Sequence, residues 1–174
     1  STFSDTQKTK IYETLTEFLE KMHSYDVNLF GDLANDFDHY DNIKSYSEAW
    51  LDEALERVQS EKQIDRFLIK DAESKARALI DLLDLSIKPV LTHGDFHQEN
   101  ILVHDGTISL ILDWEWSEGS DPLTEFLVVS NWNRAEKSFS KEILNRYQKG
   151  KFSNEKLTDS KIFRTYFLII TLNL

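Results

Sequence analysis

The most constraining feature of this sequence is a short two-strand pattern in its middle. Two apolar runs, at 101–103 and 107–112, are separated by Asp105-Gly106. This dipeptide favours a type I′ turn because both residues tolerate a positive φ angle. The apolar positions that alternate along the second run are Ile108, Leu110 and Leu112. We therefore predict a two-stranded antiparallel hairpin whose second strand presents these three side chains on one face.

Polar side chains stand at the ends of this hairpin. An apolar strand at 90–92 leads into a turn that presents Asp95, and Asn100 follows five residues later, where the first hairpin strand begins. Asp113 follows the second hairpin strand. Folding of the hairpin therefore places two carboxylates and one carboxamide along one edge. Phosphoryl transfer uses such a set, because one carboxylate accepts the proton of the attacking hydroxyl while the other oxygens bind the Mg²⁺ that bridges the phosphates.

Three segments resemble the motifs of one enzyme family. Residues 93–100 read HGDFHQEN, which is similar to the catalytic loop H-G-D-x-x-x-x-N of the aminoglycoside phosphotransferase and choline kinase-like family. Residues 111–115 read ILDWE and resemble its metal motif I-D-W-E. Residues 119–125 read GSDPLTE and resemble G-D-P-x-x-D, with one residue inserted after the glycine and Glu in place of the final Asp. The resemblance is strong over residues 90–132.

The resemblance implies a fold, two cofactors and a set of residue roles. The fold is α+β and mainly α, namely the helical C-terminal lobe of a protein kinase-like fold, with a small catalytic β-hairpin and without the N-terminal lobe. The cofactors are ATP and Mg²⁺. Asp95 is expected to be the catalytic base, and Asn100 and Asp113 the nucleotide and metal ligands. His93 should shape the loop rather than carry protons. Asp121 should also be structural, because an Asp-Pro pair is typical of a helix start.

A different metal chemistry is one alternative for the histidines near Asp95. His93 and Asp95 form an H-x-D pair, and His97 follows, which matches part of the ligand set of non-haem iron enzymes. That chemistry would require a strand-rich barrel, whereas the hydrophobic pattern of this chain is mostly helical, so we disfavour it. His97 and His104 are interpreted as surface histidines.

The charge of the chain limits its partners. The net charge is −11 over 174 residues, which argues against nucleic acid and against an anionic membrane surface, because phosphate groups require Lys and Arg patches. The charge is compatible with a small cationic substrate, faced by Glu115, Glu118 and Glu125 or by acidic residues in 32–56. The absence of cysteine fits a cytoplasmic protein. The apolar run at 166–172 is too short to span a bilayer.

Hydrophobic periodicity predicts helices on both sides of the hairpin. The first, at 6–23, ends at His23, which we interpret as a histidine near the negative end of the helix dipole. A loop is expected at 24–46. Further helices are predicted at 48–60 with Ser47 as its cap, at 64–83 with a wide core stripe that includes Phe67 and Leu68, and at 122–132, 140–148 and 161–174.

These elements are interpreted as one kinase-like lobe over residues 1–174. Its parts are a linker helix at 6–23, substrate-side helices at 47–83, the catalytic loop, hairpin and metal motif at 90–115, and C-terminal helices at 122–174.

The sequence has no glycine-rich loop that would hold phosphates. It contains five glycines, and no two are closer than 12 positions. No β-rich segment precedes Asp95, so the resemblance implies a partner lobe, the N-terminal lobe of the same protein. We expect ATP-dependent phosphotransfer to a hydroxyl of a small molecule such as an aminoglycoside, an amino-alcohol or a sugar-like compound. The alternative is a non-catalytic, kinase-like module that binds a ligand or partner. The joint presence of Asp95, Asn100 and Asp113 favours the enzyme.

Overall fold

The computed structural model describes residues 3–34, 38–60, 65–126 and 142–147. Within these ranges the chain combines three long helices with two small sheets. The helices are α1 (Asp5–Met22), α2 (Ile43–Ser60) and α3 (Arg66–Ile80). The strands are β1 (Phe30–Asp32), β2 (His39–Tyr40), β3 (Val90–Thr92), β4 (Ile101–His104), β5 (Thr107–Ile111) and β6 (Glu118–Ser120). Two short 3₁₀ turns follow β3 and β5, at Gln98–Asn100 and Trp114–Trp116.

The first helix lies where its periodicity predicted it. A capping box begins α1, because Ser4 Oγ accepts a hydrogen bond from Gln7 N while Gln7 Oε1 accepts one from Ser4 N. The face it buries against the core consists of Ile11, Leu15, Leu19 and Met22. The helix ends at His23, whose ring is turned into the interior rather than toward solvent.

The second helix begins earlier than the sequence suggested, so the prediction of Ser47 as its cap is wrong. Asn42 Oδ1 accepts hydrogen bonds from Lys44 N and Ser45 N, at 3.1 Å and 3.0 Å, and so caps the first turn. Ser47 lies inside the helix, where its hydroxyl donates to the carbonyl of Ile43. An Asn before a helix satisfies the free N–H groups as well as a Ser does, and the sequence offers both.

The predicted core stripe of the third helix, which also included Ala76 and Ile80, is correct in part. Phe67 and Leu68 are exposed, whereas the buried residues of α3 are Ile69, Ala76 and Ile80. The helix begins after Asp65, whose Oδ1 accepts a hydrogen bond from Phe67 N. The predicted start at residue 64 lies outside the described residues.

The predicted catalytic segment, 90–115, begins in a four-stranded antiparallel sheet of order β2-β1-β6-β3 and is followed by another strand of the same sheet. Two of its strands lie in the segment that was predicted to be a loop, 24–46. The central strand β6 follows the predicted metal motif and pairs with both β1 and β3. The start of the catalytic loop and the end of the metal motif are therefore tied to one sheet.

The second sheet is the predicted hairpin, β4 with β5. Asp105 and Gly106 both have positive φ, at 51° and 72°, which confirms the predicted turn. The predicted alternation of β5 is wrong, because a β-bulge shifts the register between Leu102–Leu110 and Val103–Ile108. Ile108 and Ile111 consequently pack toward the core, and Leu110 and Leu112 are exposed.

The described C-terminal residues complete the core. Residues 123–126 and 142–147 are helical, and they bury Leu123, Phe126, Ile143 and Tyr147. The remainder of the predicted helices at 122–132 and 140–148, and the whole of that at 161–174, lie outside the described residues. No helix in the described ranges is both long and apolar enough to cross a bilayer.

Candidate active site

The loop between β3 and β4 joins the predicted base to the predicted metal ligand. Asn100 Nδ2 donates a hydrogen bond to Asp95 Oδ2 at 3.1 Å and to the Asp95 carbonyl at 3.0 Å. The amide nitrogen of Asn100 is therefore used inside the loop, which directs its amide oxygen away from Asp95. Asp95 Oδ1 is buried and has no hydrogen-bond partner among the described residues. The five-residue spacing thus corresponds to one closed loop with a fixed carboxylate.

His93 ties this loop to the end of the hairpin. Its ring is fully buried, with Nδ1 accepting the backbone N–H of Asp95 at 3.2 Å and Nε2 lying 2.9 Å from the carbonyl of Leu112. Since Nδ1 accepts, Nε2 is the donor to Leu112. Both ring nitrogens are engaged, so the iron-site alternative does not fit. Among the described residues, no three His, Cys, Asp or Glu side chains converge to hold a metal ion.

Gly94 allows the loop to pass close to the Trp114–Trp116 turn. It has a φ of +79°, and a Cβ placed on it would lie 2.0 Å from the carbonyl oxygen of Trp116. Any larger residue would both adopt an unfavourable left-handed conformation and push the two segments apart. The close packing of these two segments therefore explains why the H-G-D motif of this chain has a glycine at position 94.

Glu125 is placed differently from its expected role at the substrate. Its carboxylate is 1% exposed and accepts hydrogen bonds from His93 N at 2.7 Å and Gly94 N at 3.0 Å. It therefore clamps the backbone of the catalytic loop and has no open side toward a ligand. Behind it, His23 Nε2 lies 3.7 Å from Glu125 Oε2, and His23 Nδ1 lies 2.7 Å from the Tyr147 hydroxyl.

Asp113 lies beside the loop at the end of β5. Its backbone is left-handed, with φ 67° and ψ 61°, and its exposed side chain makes no capping hydrogen bond. The preceding residue, Leu112, donates its N–H to the Asn100 carbonyl at 2.8 Å, which joins the two predicted metal-ligand segments through the backbone. The side chains offer one amide and one carboxylate oxygen, the hard donors that Mg²⁺ prefers, so the pair fits the expected cation.

Burial raises the pKa of two acidic side chains in the segment that follows the predicted metal motif. Asp121 is buried and accepts a hydrogen bond from Leu123 N at 2.7 Å, and burial raises its pKa to about 6. Burial also raises the pKa of Glu118 to about 7, against hydrogen bonds to Tyr46 and Ser120 that lower it, and the nearby carboxylates of Glu125 and Asp32 raise it further.

Glu115 and Glu118 line a cleft of about 540 Å³ between the sheet and α2. Its other acidic residues are Asp32, Asp38 and Glu53, and its aromatic residues are Tyr40, Tyr46, Trp50 and Trp116. One basic residue, Arg57, also lines the cleft and is paired with Glu53. The sequence indicated that acidic residues face the substrate, but it did not indicate the aromatic residues of the cleft, because tyrosine and tryptophan in a helix or loop are usually interpreted as core residues. The acidic residues near them in the sequence were the one feature that could have pointed to these aromatic side chains.

Comparison with protein families gives one match over most of the chain. The model of the phosphotransferase enzyme family, APH, matches residues 2–157. Acyl-CoA dehydrogenase family member 11 of Rattus norvegicus is 24% identical over 137 residues, which is 73% of this chain and 16% of that protein.

Solved structures share the fold. Aminoglycoside phosphotransferase APH(4)-Ia, in a ternary complex with ADP and hygromycin B, aligns with a TM-score of 0.72 and 17% identity over 98% of this chain and 58% of its own. The gentamicin complex of APH(2'')-IIa aligns with a TM-score of 0.61 and 18% identity, covering 84% of this chain and 49% of its own. ADP-bound APH(2'')-Ib aligns with a TM-score of 0.61 and 16% identity, covering 99% and 67%. The chain thus spans a small part of the rat protein and about half to two thirds of these three.

Proposed function

Because this chain belongs to the phosphotransferase enzyme family, we propose that it carries the base and the metal ligands for phosphoryl transfer from ATP to a hydroxyl of a small molecule. The observation that carries the proposal is the pair of hydrogen bonds from Asn100 Nδ2 to the carbonyl and carboxylate of Asp95. These bonds fix a general base against a metal ligand before any substrate arrives, and such pre-positioning is what phosphoryl transfer requires of a protein.

In this proposal the residues of the loop have separate tasks. Asp95 accepts the proton of the acceptor hydroxyl while the hydroxyl oxygen forms a bond to the terminal phosphorus of ATP and the bond to ADP breaks. Asn100 and Asp113 would hold Mg²⁺, which would supply positive charge beside the phosphates. His93 and Glu125 hold the loop backbone in place, through the contacts to Leu112, His93 and Gly94 described above.

The nucleotide base is proposed to lie on the outer face of the hairpin. Leu102 and Leu110 are directly paired across the strands and are 44% and 57% exposed, two strand positions from Asn100 and three from Asp113. An apolar pair next to metal ligands is suited to the flat face of a base. The leucine pair would cover one face of the base and leave the other face open. This agrees with the proposal that the chain is the C-terminal, catalytic lobe and that a second lobe of the same protein closes the site.

The substrate is proposed to be a hydroxyl compound that carries an amine, as aminoglycosides and amino-alcohols do. The cleft between the sheet and α2 combines carboxylates with aromatic rings, and both attract organic cations. Trp116 and Glu115 follow Asp113 within three residues, so a ligand in the cleft lies next to the predicted metal motif.

A cytoplasmic location remains a prediction of the cysteine-free sequence.

Turnover by the full-length protein tests this proposal. Purified protein, Mg²⁺ and radiolabelled ATP are incubated with a panel of amino-alcohols, aminoglycosides and neutral sugars, and labelled products are separated. We expect transfer to at least one cationic alcohol, and Asp95→Asn should lower kcat by at least about 100-fold. Asp105→Asn, at the exposed hairpin turn, is the matched control and should retain activity. Near wild-type turnover by Asp95→Asn would refute the base assignment, and ligand binding without phosphate transfer would favour a non-catalytic binding module.

A further inference from the structure

His97 occupies an unexpected position between the proposed base and the proposed metal ligand. The sequence suggested a surface histidine, but His97 is only 9% exposed. The other histidine given that interpretation, His104, does lie at the surface. A buried histidine inside a catalytic loop needs partners for its ring nitrogens, and both of them have partners here.

A backbone hydrogen bond determines the protonation of one ring nitrogen of His97. Nδ1 lies 3.2 Å from the N–H of Glu99 and accepts its hydrogen bond at the start of the Gln98–Asn100 turn. Nδ1 therefore carries the lone pair, and the proton of a neutral ring is on Nε2. The turn that positions Asn100 thus also selects the tautomer of His97.

The other ring nitrogen faces the base. His97 Nε2 lies 3.3 Å from Asp95 Oδ2, the same oxygen to which Asn100 Nδ2 donates at 3.1 Å. Nε2 and the Asn100 amide nitrogen are themselves 3.3 Å apart. Since both carry protons in this assignment, they are two donors that converge on one acceptor rather than partners of each other.

We propose that His97 is a positioning residue for Asp95, donating from Nε2 to Oδ2 so that, together with Asn100, it fixes the orientation of the carboxylate toward the acceptor hydroxyl. One donor alone allows the carboxylate to rotate about its Cα–Cβ and Cβ–Cγ bonds, whereas two donors from different directions restrict both rotations. This inference rests on the proposed phosphotransfer, because positioning has meaning only for a reacting base. It assigns His97 no contact with substrate or nucleotide.

Two substitutions separate this role from simple packing. His97→Gln keeps a side-chain N–H donor at a reach similar to that of Nε2, and His97→Phe keeps the ring and removes the donor. We expect His97→Phe to lower kcat by roughly 10- to 100-fold, since small misplacements of a catalytic group have effects of that size. KM values should change little. His97→Gln should recover most of the rate. His104→Phe, a matched change of an exposed histidine beside another aspartate, should behave like wild type.

A spectroscopic measurement tests the contact without turnover. In full-length protein labelled with ¹⁵N-histidine, the His97 ring should show the Nε2–H tautomer, and Asp95→Ala should change the signal of that proton. A His97 ring with the proton on Nδ1, or equal turnover by His97→Phe and His97→Gln, would overturn the proposal. If the wild type transfers no phosphate to any alcohol, the proposed function fails and the positioning role fails with it, while the tautomer still decides whether the contact exists.

Discussion

Glu125 Oε2 accepts a hydrogen bond from the backbone N–H of His93 at 2.7 Å, across 32 positions of sequence. The other oxygen of the same carboxylate accepts from the next residue, Gly94, at 3.0 Å. Two consecutive N–H groups of the proposed catalytic loop therefore depend on one buried side chain. This arrangement explains how a loop with little regular structure keeps Asp95 in place.

Removal of this carboxylate should destabilise the fold. In Glu125→Ala the buried N–H of His93 and the partly buried N–H of Gly94 lose their acceptor. A buried group left without a partner costs about 1–3 kcal/mol and a partly buried one costs less, so we expect a loss of roughly 1–4 kcal/mol in the free energy of unfolding. Urea denaturation measures it. Glu125→Gln keeps one acceptor oxygen, so its free energy of unfolding should lie between those of the wild type and Glu125→Ala. Glu115→Ala, at an exposed position, should change the free energy of unfolding by less than about 0.5 kcal/mol. A stable Glu125→Ala protein would contradict the clamp.

Stability should fall as pH rises from about 4.5 to about 7. The pKa of Glu118 is raised from 4.5 to about 7, chiefly by burial, so the folded state holds this proton more tightly than the unfolded state. Its contribution is fully present below the unfolded pKa and is lost as pH rises through the folded pKa. Asp121, with its pKa raised from 3.8 to about 6, acts in the same direction at lower pH. Denaturation midpoints between pH 4 and pH 8 should follow this decline.

A matched variant identifies the group responsible for that decline. Glu118→Gln cannot titrate, so its stability should depend less on pH between 5 and 8 than that of the wild type. Glu56→Gln, at an exposed position of α2, should leave the wild-type dependence intact. Equal pH dependence of all three proteins would mean that Glu118 ionises normally in the fold.

Binding of a cationic alcohol in the cleft should depend on charge. Glu115→Gln removes one carboxylate from the lining and should raise the KM for such a substrate by about three- to tenfold, and added salt should weaken binding further. Glu56→Gln removes the same charge from outside the cleft and serves as the control. Preference for a neutral sugar over every cationic alcohol tested, or binding that is insensitive to salt, would contradict the assignment of the cleft.

The 174-residue chain by itself should bind Mg-ATP weakly. Sites for drug-sized ligands bury most of the ligand surface, whereas Leu102 and Leu110 offer the base one exposed face. We expect a Kd above about 100 μM by calorimetry, with light scattering run alongside to follow association through this apolar face. Micromolar affinity in a monomer would show that this chain needs no second lobe to hold nucleotide.

The sequence was most informative where chemistry and backbone geometry coincide. The Asp105-Gly106 turn follows from the conformations that those two residues tolerate, and the loop that joins Asp95 to Asn100 follows from their spacing. Both depend on interactions within about a dozen residues, so local rules describe them. The resemblance to the family is likewise carried by short motifs, within residues 90–132.

The remaining features depend on distant parts of the chain. Glu125 is part of a sequence motif, but its partners cannot be seen in the sequence, and only the return of its helix to the loop makes it an internal acceptor. The bulge in β5, and the exposure of Phe67 and Leu68 on α3, are decided by packing against other elements. His97 required knowledge of where the Glu99 N–H points, which is set by the turn.

The Glu125 clamp also bears on how the protein is made. Synthesis proceeds from the N-terminus, so Asp95 and Asn100 leave the ribosome before Glu125 does. Until Glu125 has emerged and reached the loop, the N–H groups of His93 and Gly94 have only water as acceptor, and β6, which pairs with β3, has barely been completed. We therefore expect that a nascent chain which already contains the proposed base and both proposed metal ligands lacks the geometry to use them, and that the site forms late in folding.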